Sequence, residues 1–281
     1  MGVIVSFTED AAAVLQGTAR FLESRPAEHN LILSLLHQRA ASGDPGRYWT
    51  VRDADTGADV GVVLQSPPTF RATMTPMAPL VAAGAAEAIA VGGFTLPGVD
   101  AEAPTAAAFA GRWAEVRRVG AQPVHGMRLQ LLETLTLPDE VRGALRPATS
   151  PDVALVRKWM AAFAHFVGDP PPPDALVDRR VERGEFALWE TDGTVVCAAA
   201  RTPAFAGTSR IGPVYTPPEH RRHGYAAACV GHLSRQIMDE GFRCVLYTDL
   251  GNPTSNSVYR SLGYRTICEN VRYEFDGECQ T

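Results

Sequence analysis

Lysine is almost absent from this chain: Lys158 is the only lysine among 26 basic residues. No Gly-Lys-Ser/Thr string and no Gly-x-Gly-x-x-Gly pattern occurs, so the lysine phosphate loop and the dinucleotide fingerprint are both excluded. Arginine carries the positive charge, and the bias follows coding base composition rather than chemistry. The five cysteines, Cys197, Cys229, Cys244, Cys268 and Cys279, are odd in number and fall mostly on predicted helices and strands. They read as reduced, small apolar core residues rather than a disulfide or zinc framework, and no metal is expected. No run of eighteen apolar residues and no charged-apolar-small signal at the start is present, so the expected location is cytoplasmic, with no membrane partner.

Excess positive charge is missing too. The net charge is −5, which argues against a nucleic-acid partner. Residues 1–140 hold 10 basic and 15 acidic groups, whereas 141–281 hold 16 of each. The second half is therefore neutral, with its arginines available to an anionic ligand. A chain of 281 residues with 46% apolar and 20% charged content suits one large domain or two ordinary ones.

What is present concentrates between Ile211 and Tyr264. A strand over 211–216 is followed by the turn Arg221-Arg222-His223-Gly224-Tyr225-Ala226, and small or apolar residues then recur at Ala226, Cys229, Val230, Leu233 and Ile237. That spacing predicts an amphipathic helix stopped by Gly241. The first N–H groups of a helix lack intrahelical partners and sit at the positive end of its dipole, so this start invites an anion. Gly224 and Ala226 keep the approach open, and Arg221 and Arg222 offer forks suited to phosphate oxygens. His223 either meets the anion or faces solvent. A second short strand, 244–248, completes a βαβ unit.

Beyond Asp249, Asn252 reads as an N-cap, Pro253 as the first helical residue and Gly263 as the stop, with Ser255, Tyr259 and Leu262 on one face. Tyr259 is a candidate proton donor to a leaving thiolate, or equally a core aromatic with a backbone partner. Asp249, at the carboxyl end of a central strand, is a candidate for binding the amine or acting as base, or equally a turn residue.

These segments resemble the GNAT superfamily of acyl-CoA-dependent N-acyltransferases. Arg221, Gly224 and Ala226 match its pyrophosphate signature. Asn252, Tyr259, Gly263 and Tyr264 match the stretch in which an Asn meets the pantetheine arm and a Tyr serves as general acid. The wording of 215–225 is closest to the glycine N-acyltransferase-like branch, and the resemblance covers roughly residues 145 to 275. It implies an α/β (α+β) GNAT fold, a mixed central sheet with splayed strands and flanking helices. It also implies acetyl-CoA as co-substrate, held by backbone of Val214, Tyr215 and Thr216, by the turn from Arg221 through Ala227, and by Asn252, Ser255 and Tyr259. An amine would attack the thioester directly, an N–H near Val214 would face the oxyanion, and Tyr259 would protonate the thiolate. The base would be a water relayed to Asp249 or Glu219.

The first half repeats part of this pattern. A helix is expected over 20–39, then a hairpin of 48–52 and 59–64 turning at Thr56-Gly57. In the second half, helices over 152–166 and 174–183 precede a hairpin of 186–190 and 194–200 turning at Asp192-Gly193. The spacing between the hairpins is near 137 residues, a weak internal repeat. The stretch 77–84 lacks paired arginines, so residues 1–143 are expected to form a degenerate GNAT-like domain without an acyl-CoA site, and 144–281 the catalytic domain. The boundary is placed in 137–150, with the catalytic domain's first strand near 144–148. The four-proline run in 168–174 must be an extended connection.

The expected activity is N-acetylation of a small-molecule primary amine or amino acid, by a monomer or homodimer. Acetylation of a protein N-terminus or lysine, or acyl-CoA sensing without turnover, are the alternatives.

Overall fold

The computed structural model describes residues 2–277, so Cys279 lies outside the described residues. The chain forms two compact units. Unit 1 comprises residues up to Leu129 with Asp249–Gly251 and the stretch from Thr266 onward; unit 2 comprises Gln130–Thr248 and Asn252–Arg265. The segment 137–150, expected as the boundary, falls wholly within unit 2.

Unit 1 runs β1 (Val3–Thr8), α1 (Ala11–Gly17), α2 (Ala19–Ser24), α3 (Asn30–Ser42), β2 (Arg47–Asp53), β3 (Asp59–Gln65), β4 (Ala72–Met74), α4 (Pro79–Val91), β5 (Gly98–Glu102), α5 (Ala103–Arg117) and β6 (Gly120–Leu132), the last crossing into unit 2. The single helix expected over 20–39 is broken. Pro26 has no N–H to donate and disfavours helical backbone at Arg25, which sits at φ −136° and ψ 65°. A turn follows, and α3 begins only at Asn30.

Unit 2 holds β7 (Ala144–Pro147), α6 (Val153–Val167), α7 (Asp174–Glu182), β8 (Phe186–Thr191), β9 (Thr194–Arg201), β10 (Thr208–Tyr215), α8 (Tyr225–Asp239), β11 (Arg243–Asp249), α9 (Pro253–Leu262) and β12 (Tyr264–Asp276), with β12 passing into unit 1. From the two hairpins onward the halves share one order: three strands, a helix, a strand, a helix and a long final strand. The expected mixed sheet, flanking helices and tandem organisation are thus borne out. In unit 2 the strand order is β11-β10-β9-β8-β7, with the end of β6 beside β11. In unit 1 it is β1-β2-β3-β4-β5-β12-β6. The last strand of the chain therefore completes the first unit, with Asn270 to Glu274 running antiparallel to Gly98 to Glu102.

Alternation along β8 and β9 divides the core of unit 2 into two faces, because successive strand side chains point oppositely. Phe186, Leu188, Ala198 and Ala200 pack with Trp159, Met160, Val177 and Val181 of α6 and α7. Ala187, Trp189, Cys197 and Ala199 pack with Cys229, Val230, Leu233 and Ile237 of α8. In unit 1, Trp113 stacks between Phe109 at 5.8 Å and Phe275 of β12 at 5.6 Å.

The start of α6 is fixed by charge. Asp152 accepts two bonds from Arg146, at 2.8 and 2.9 Å, and two more from Thr149, at 2.8 Å from the backbone N–H and 3.0 Å from the hydroxyl. The Arg146 guanidinium holds its carboxyl down at about 2. A depressed carboxyl stabilises the fold above its unfolded value and loses that contribution as pH falls through the folded value. Asp152→Asn should cost roughly 1–3 kcal/mol at neutral pH and flatten the acid unfolding curve between roughly pH 4 and 2. Denaturant melts of both proteins across that range check it.

Candidate active site

The parallel ladder between β10 and β11 runs from the pair Thr208 and Arg243 to the pair Ile211 and Leu246, then stops. Both strands continue, β10 to Tyr215 and β11 to Asp249. On its other edge β10 shifts register against β9 between Ile211 and Val214, a bulge built by Gly212-Pro213. Proline cannot donate to a ladder, and a bulge bends its strand. The result is a split between β10 and β11 at their carboxyl ends, the place where open α/β sheets take ligands. Past the split, β10 has no ladder partner on its β11 side, so its backbone can pair with another extended group. The Thr216 hydroxyl oxygen at the strand's end is buried with no hydrogen-bond partner. A ligand at the split could supply the bond this hydroxyl lacks.

Helix α8 begins beside this split. Its N-cap is Gly224 at φ 79°, and no side chain caps its first N–H groups. Arg221, Arg222, His223 and Gly224 are all exposed. Arg222 adopts φ 66°, and the His223 ring stacks on Tyr225 at 5.5 Å. Arg221, expected to serve phosphate, also has local work: its Nε–H donates to the Thr216 carbonyl at 3.0 Å, tying the turn back to the end of β10. Ala226 packs against the core and Ala227 is half-buried, so no bulky side chain covers the helix start.

Helix α9 matches its expected ends. Asn252 caps it, with Oδ1 accepting from the Ser255 N–H at 3.0 Å. That use of Oδ1 leaves the amide NH2 as the part a ligand would meet. Gly263 ends the helix at φ 101°. A Cβ there would lie 1.8 Å from the Thr134 carbonyl oxygen. Gly263→Ala should therefore destabilise the fold by about 3 kcal/mol or more, through both the clash and the left-handed backbone. A lowered unfolding midpoint in urea would show this, and an unchanged one would contradict it.

The buried face of α9 is Asn256, Tyr259 and Leu262, with Ser255 only half-buried at its edge. Tyr259 is 8% exposed and shares a core cluster with Cys197, Cys229, Val214, Tyr225 and Ala226. Burial, then the thiols of Cys197 and Cys229, raise its hydroxyl above the ordinary tyrosine value. Tyr264 stands edge-on to it at 6.1 Å and bonds Ser234 at 2.8 Å. Burial pushes the Cys244 thiol up to about 12, and the neighbouring Cys197 thiol and burial raise that of Cys229. Among the described residues no cluster of three His, Cys, Asp or Glu groups could hold a metal.

Two candidates have side chains engaged elsewhere. The Tyr215 side chain is on the opposite face, packed against Trp159 at 5.9 Å, so only its backbone borders the split. Asp249 is exposed and its Oδ1 accepts from the Gly251 N–H at 2.6 Å, a turn-stabilising bond.

Sequence reading missed one polar network. Thr248 donates to Asn256 Oδ1 at 2.7 Å, Gln130 donates to Thr248 Oγ1 at 2.7 Å, and Asn256 Nδ2 donates to the Asn252 carbonyl at 2.9 Å. All three side chains are buried, and the chain of bonds pins the first turn of α9 to the end of β11. The available signal was an Asn one turn before Tyr259 on the same face.

Comparison with known proteins agrees with this geometry. Residues 193–273 match the family model described as FR47-like protein. No curated protein matches the chain by sequence. Among solved structures, a GNAT-family acetyltransferase from Colwellia psychrerythraea is 13% identical with a TM-score of 0.62, over 97% of this chain and 100% of that one. A GCN5-related N-acetyltransferase from Sphaerobacter thermophilus is 18% identical with a TM-score of 0.58, over 96% and 94%. A tandem GNAT protein from the clavulanic acid biosynthesis pathway is 13% identical with a TM-score of 0.57, over 99% and 100%. At these identities the likeness is one of fold, and the fold is that of GNAT acetyltransferases. The family match adds a sequence signature across the split strands, α8 and α9.

Proposed function

We propose that this chain is a GNAT-type acetyltransferase in which unit 2 moves the acetyl group of acetyl-CoA to a primary amine of a small molecule or amino acid. The observation that carries the reading is the split of β10 from β11 beside an uncapped helix start, with Tyr259 packed in the cluster that includes Val214. The residues fit the co-substrate. Val214 and Tyr215, laddered to β9 but not to β11, would offer the backbone of that open edge to pantetheine amides, and Thr216 its orphaned hydroxyl. The N–H groups of Tyr225, Ala226 and Ala227 would receive the pyrophosphate, with Arg222 and the terminal nitrogens of Arg221 outside it. The amide NH2 of Asn252 would meet the arm from α9.

When bound, acetyl-CoA supplies an acetyl group activated as a thioester. The amine nitrogen forms a bond to the carbonyl carbon, the carbon–sulfur bond breaks, and the amine's proton is lost as the thiolate gains one. The Tyr259 hydroxyl is the donor on the sulfur side. A backbone N–H near Val214 faces the developing oxyanion, where a fixed donor stabilises charge that forms only in the transition state. The amine proton leaves through water, with Glu219 as the nearby carboxylate of the turn. Asp249, engaged by its own turn, is not needed for this scheme.

Unit 1 reads as a degenerate copy without an acyl-CoA site. Its equivalent helix α4 starts at Pro79 behind Ala78 and has no arginine in the turn. The Met77 N–H and carbonyl just before it are both bonded to the buried Thr105 hydroxyl, at 3.0 Å each.

Calorimetric titration with acetyl-CoA, followed by a thiol-release assay over an amine panel, tests the proposal. Binding with release in the presence of an amine is expected. Binding without release for any amine would point to an acyl-CoA sensor, and no binding by folded protein would overturn the cofactor assignment.

A further inference from the structure

On the face of unit 2 opposite Tyr259, a cavity of about 200 Å³ opens between α6, α7 and the proline-rich connection. Met160, Phe163, Val167, Pro170, Leu176 and Pro213 line it. Pro213 belongs to the bulge that opens the split, and its neighbour Val214 packs on the Tyr259 side. Pro213 and Val214, neighbours on β10, thus face opposite sides of the sheet, Val214 toward Tyr259 and Pro213 toward the apolar cavity. A thioester held in the split would lie between these two sides.

The lining sets the chemistry of what enters. Two charged groups share the lining, Asp169 and Arg180; Arg180 is already committed, donating to Glu185 at 2.7 Å and lying over the Phe186 ring at 5.0 Å. Pro170 and Pro172 of the connection and Pro213 of the bulge all belong to the wall, and prolines present a rigid surface with no N–H to offer. A cavity near 150 Å³ lined by apolar groups stays dry and accepts benzene, so this one has room for a phenyl ring or a branched alkyl group of similar bulk. The four-proline connection, read from sequence only as a stiff spacer, contributes Pro170 and Pro172 to the wall.

We infer that the cavity is the acceptor subsite and selects a small primary amine carrying an aryl or branched-alkyl group, in preference to polyamines, amino sugars or peptide lysines. The inference rests on the acetyltransferase reading above. Its probes are phenethylamine and isoamylamine, set against spermidine, glucosamine and a lysine peptide, with acetyl-CoA and thiol detection. A kcat/KM for the apolar amines at least ~10-fold above the others is expected, the size of effect a hydrophobic pocket gives. Leu176→Trp, at a half-buried wall position, should raise KM for the apolar amines about 10-fold or more while the calorimetric Kd for acetyl-CoA stays within about twofold. Val167→Asp, at the exposed rim, should do the same and serves if Leu176→Trp fails to fold.

Preference for spermidine, glucosamine or the peptide, with acetyl-CoA still bound, would overturn the subsite and leave the acetyltransferase reading intact. Tighter binding of octanoyl-CoA than acetyl-CoA, lost in Leu176→Trp, would also overturn it, by making the cavity an acyl-chain pocket. Absence of acetyl-CoA binding would sink both readings together.

Discussion

Tyr259→Phe is expected to lower kcat by about 10²–10³-fold while leaving the acetyl-CoA Kd unchanged. The change removes one oxygen atom from a ring that is otherwise packed among Cys197, Cys229 and Tyr264. The ring keeps its contacts, so the fold should hold within about 1 kcal/mol. On the proposed mechanism, what is lost is a donor to charge that appears only as the carbon–sulfur bond breaks. Loss of such an interaction lowers kcat and kcat/KM together and spares ground-state binding. The raised pKa sharpens the test. A hydroxyl held above the ordinary tyrosine value stays neutral through the working range, so the wild type should show no loss of kcat from its ionisation below about pH 10. In the proposed role the group would therefore keep the proton it donates to the sulfur throughout that range. Steady-state kinetics from pH 6 to 10, beside calorimetry, checks both statements; unchanged turnover in the variant would remove Tyr259 from its role.

Gly224→Glu is expected to weaken acetyl-CoA binding about 100-fold or more, beyond detection by calorimetry. Three effects converge at the N-cap of α8. The backbone sits at φ 79°, where a side chain is strained, and a Cβ would crowd Val141 Cγ2 at 3.2 Å. The new carboxylate would also occupy the space in front of the first N–H groups and repel the pyrophosphate. Since backbone strain alone could lower stability, circular dichroism and a thermal melt accompany the titration. Arg222→Glu provides the companion variant: this position already holds a non-glycine residue at φ 66° and is exposed, so charge reversal leaves the backbone alone. It should weaken binding about 10-fold, with the loss shrinking as salt rises. Tight binding by folded Gly224→Glu would place the pyrophosphate elsewhere.

The parts of this molecule legible in the sequence are those set by local chemistry. Asn252, Pro253 and Gly263 delimit α9 because capping, ring geometry and a left-handed stop act within a few residues. The βαβ unit was legible for the same reason, through the periodicity of α8 and the β-branched run of β11. Local signals also misled where two competed: the apolar spacing over 20–39 outweighed Pro26, although the proline decided the structure. The bonds of Arg221 and Asp249 to nearby backbone were invisible because a charged side chain does not announce which partner it takes. Gln130 was out of reach altogether, since its partners Thr248 and Asn256 lie more than a hundred residues along the chain. The split of β10 from β11 was implied only by resemblance. Its physical cause, a bulge at Gly212-Pro213, is a matter of register, which composition does not encode.

The pairing of Asn270 to Glu274 with Gly98 to Glu102 governs the order in which this protein can be made. During synthesis β5 must wait, its edge bare, while the whole of unit 2 is translated, and Trp113 waits with it for Phe275. Such distant pairing slows folding, and a waiting strand edge is a template for aggregation. A fragment cut at residue 143 would carry that edge permanently, which makes the N-terminal half a poor candidate for separate expression. Circular permutation that brings 264–277 ahead of β1 would shorten the wait.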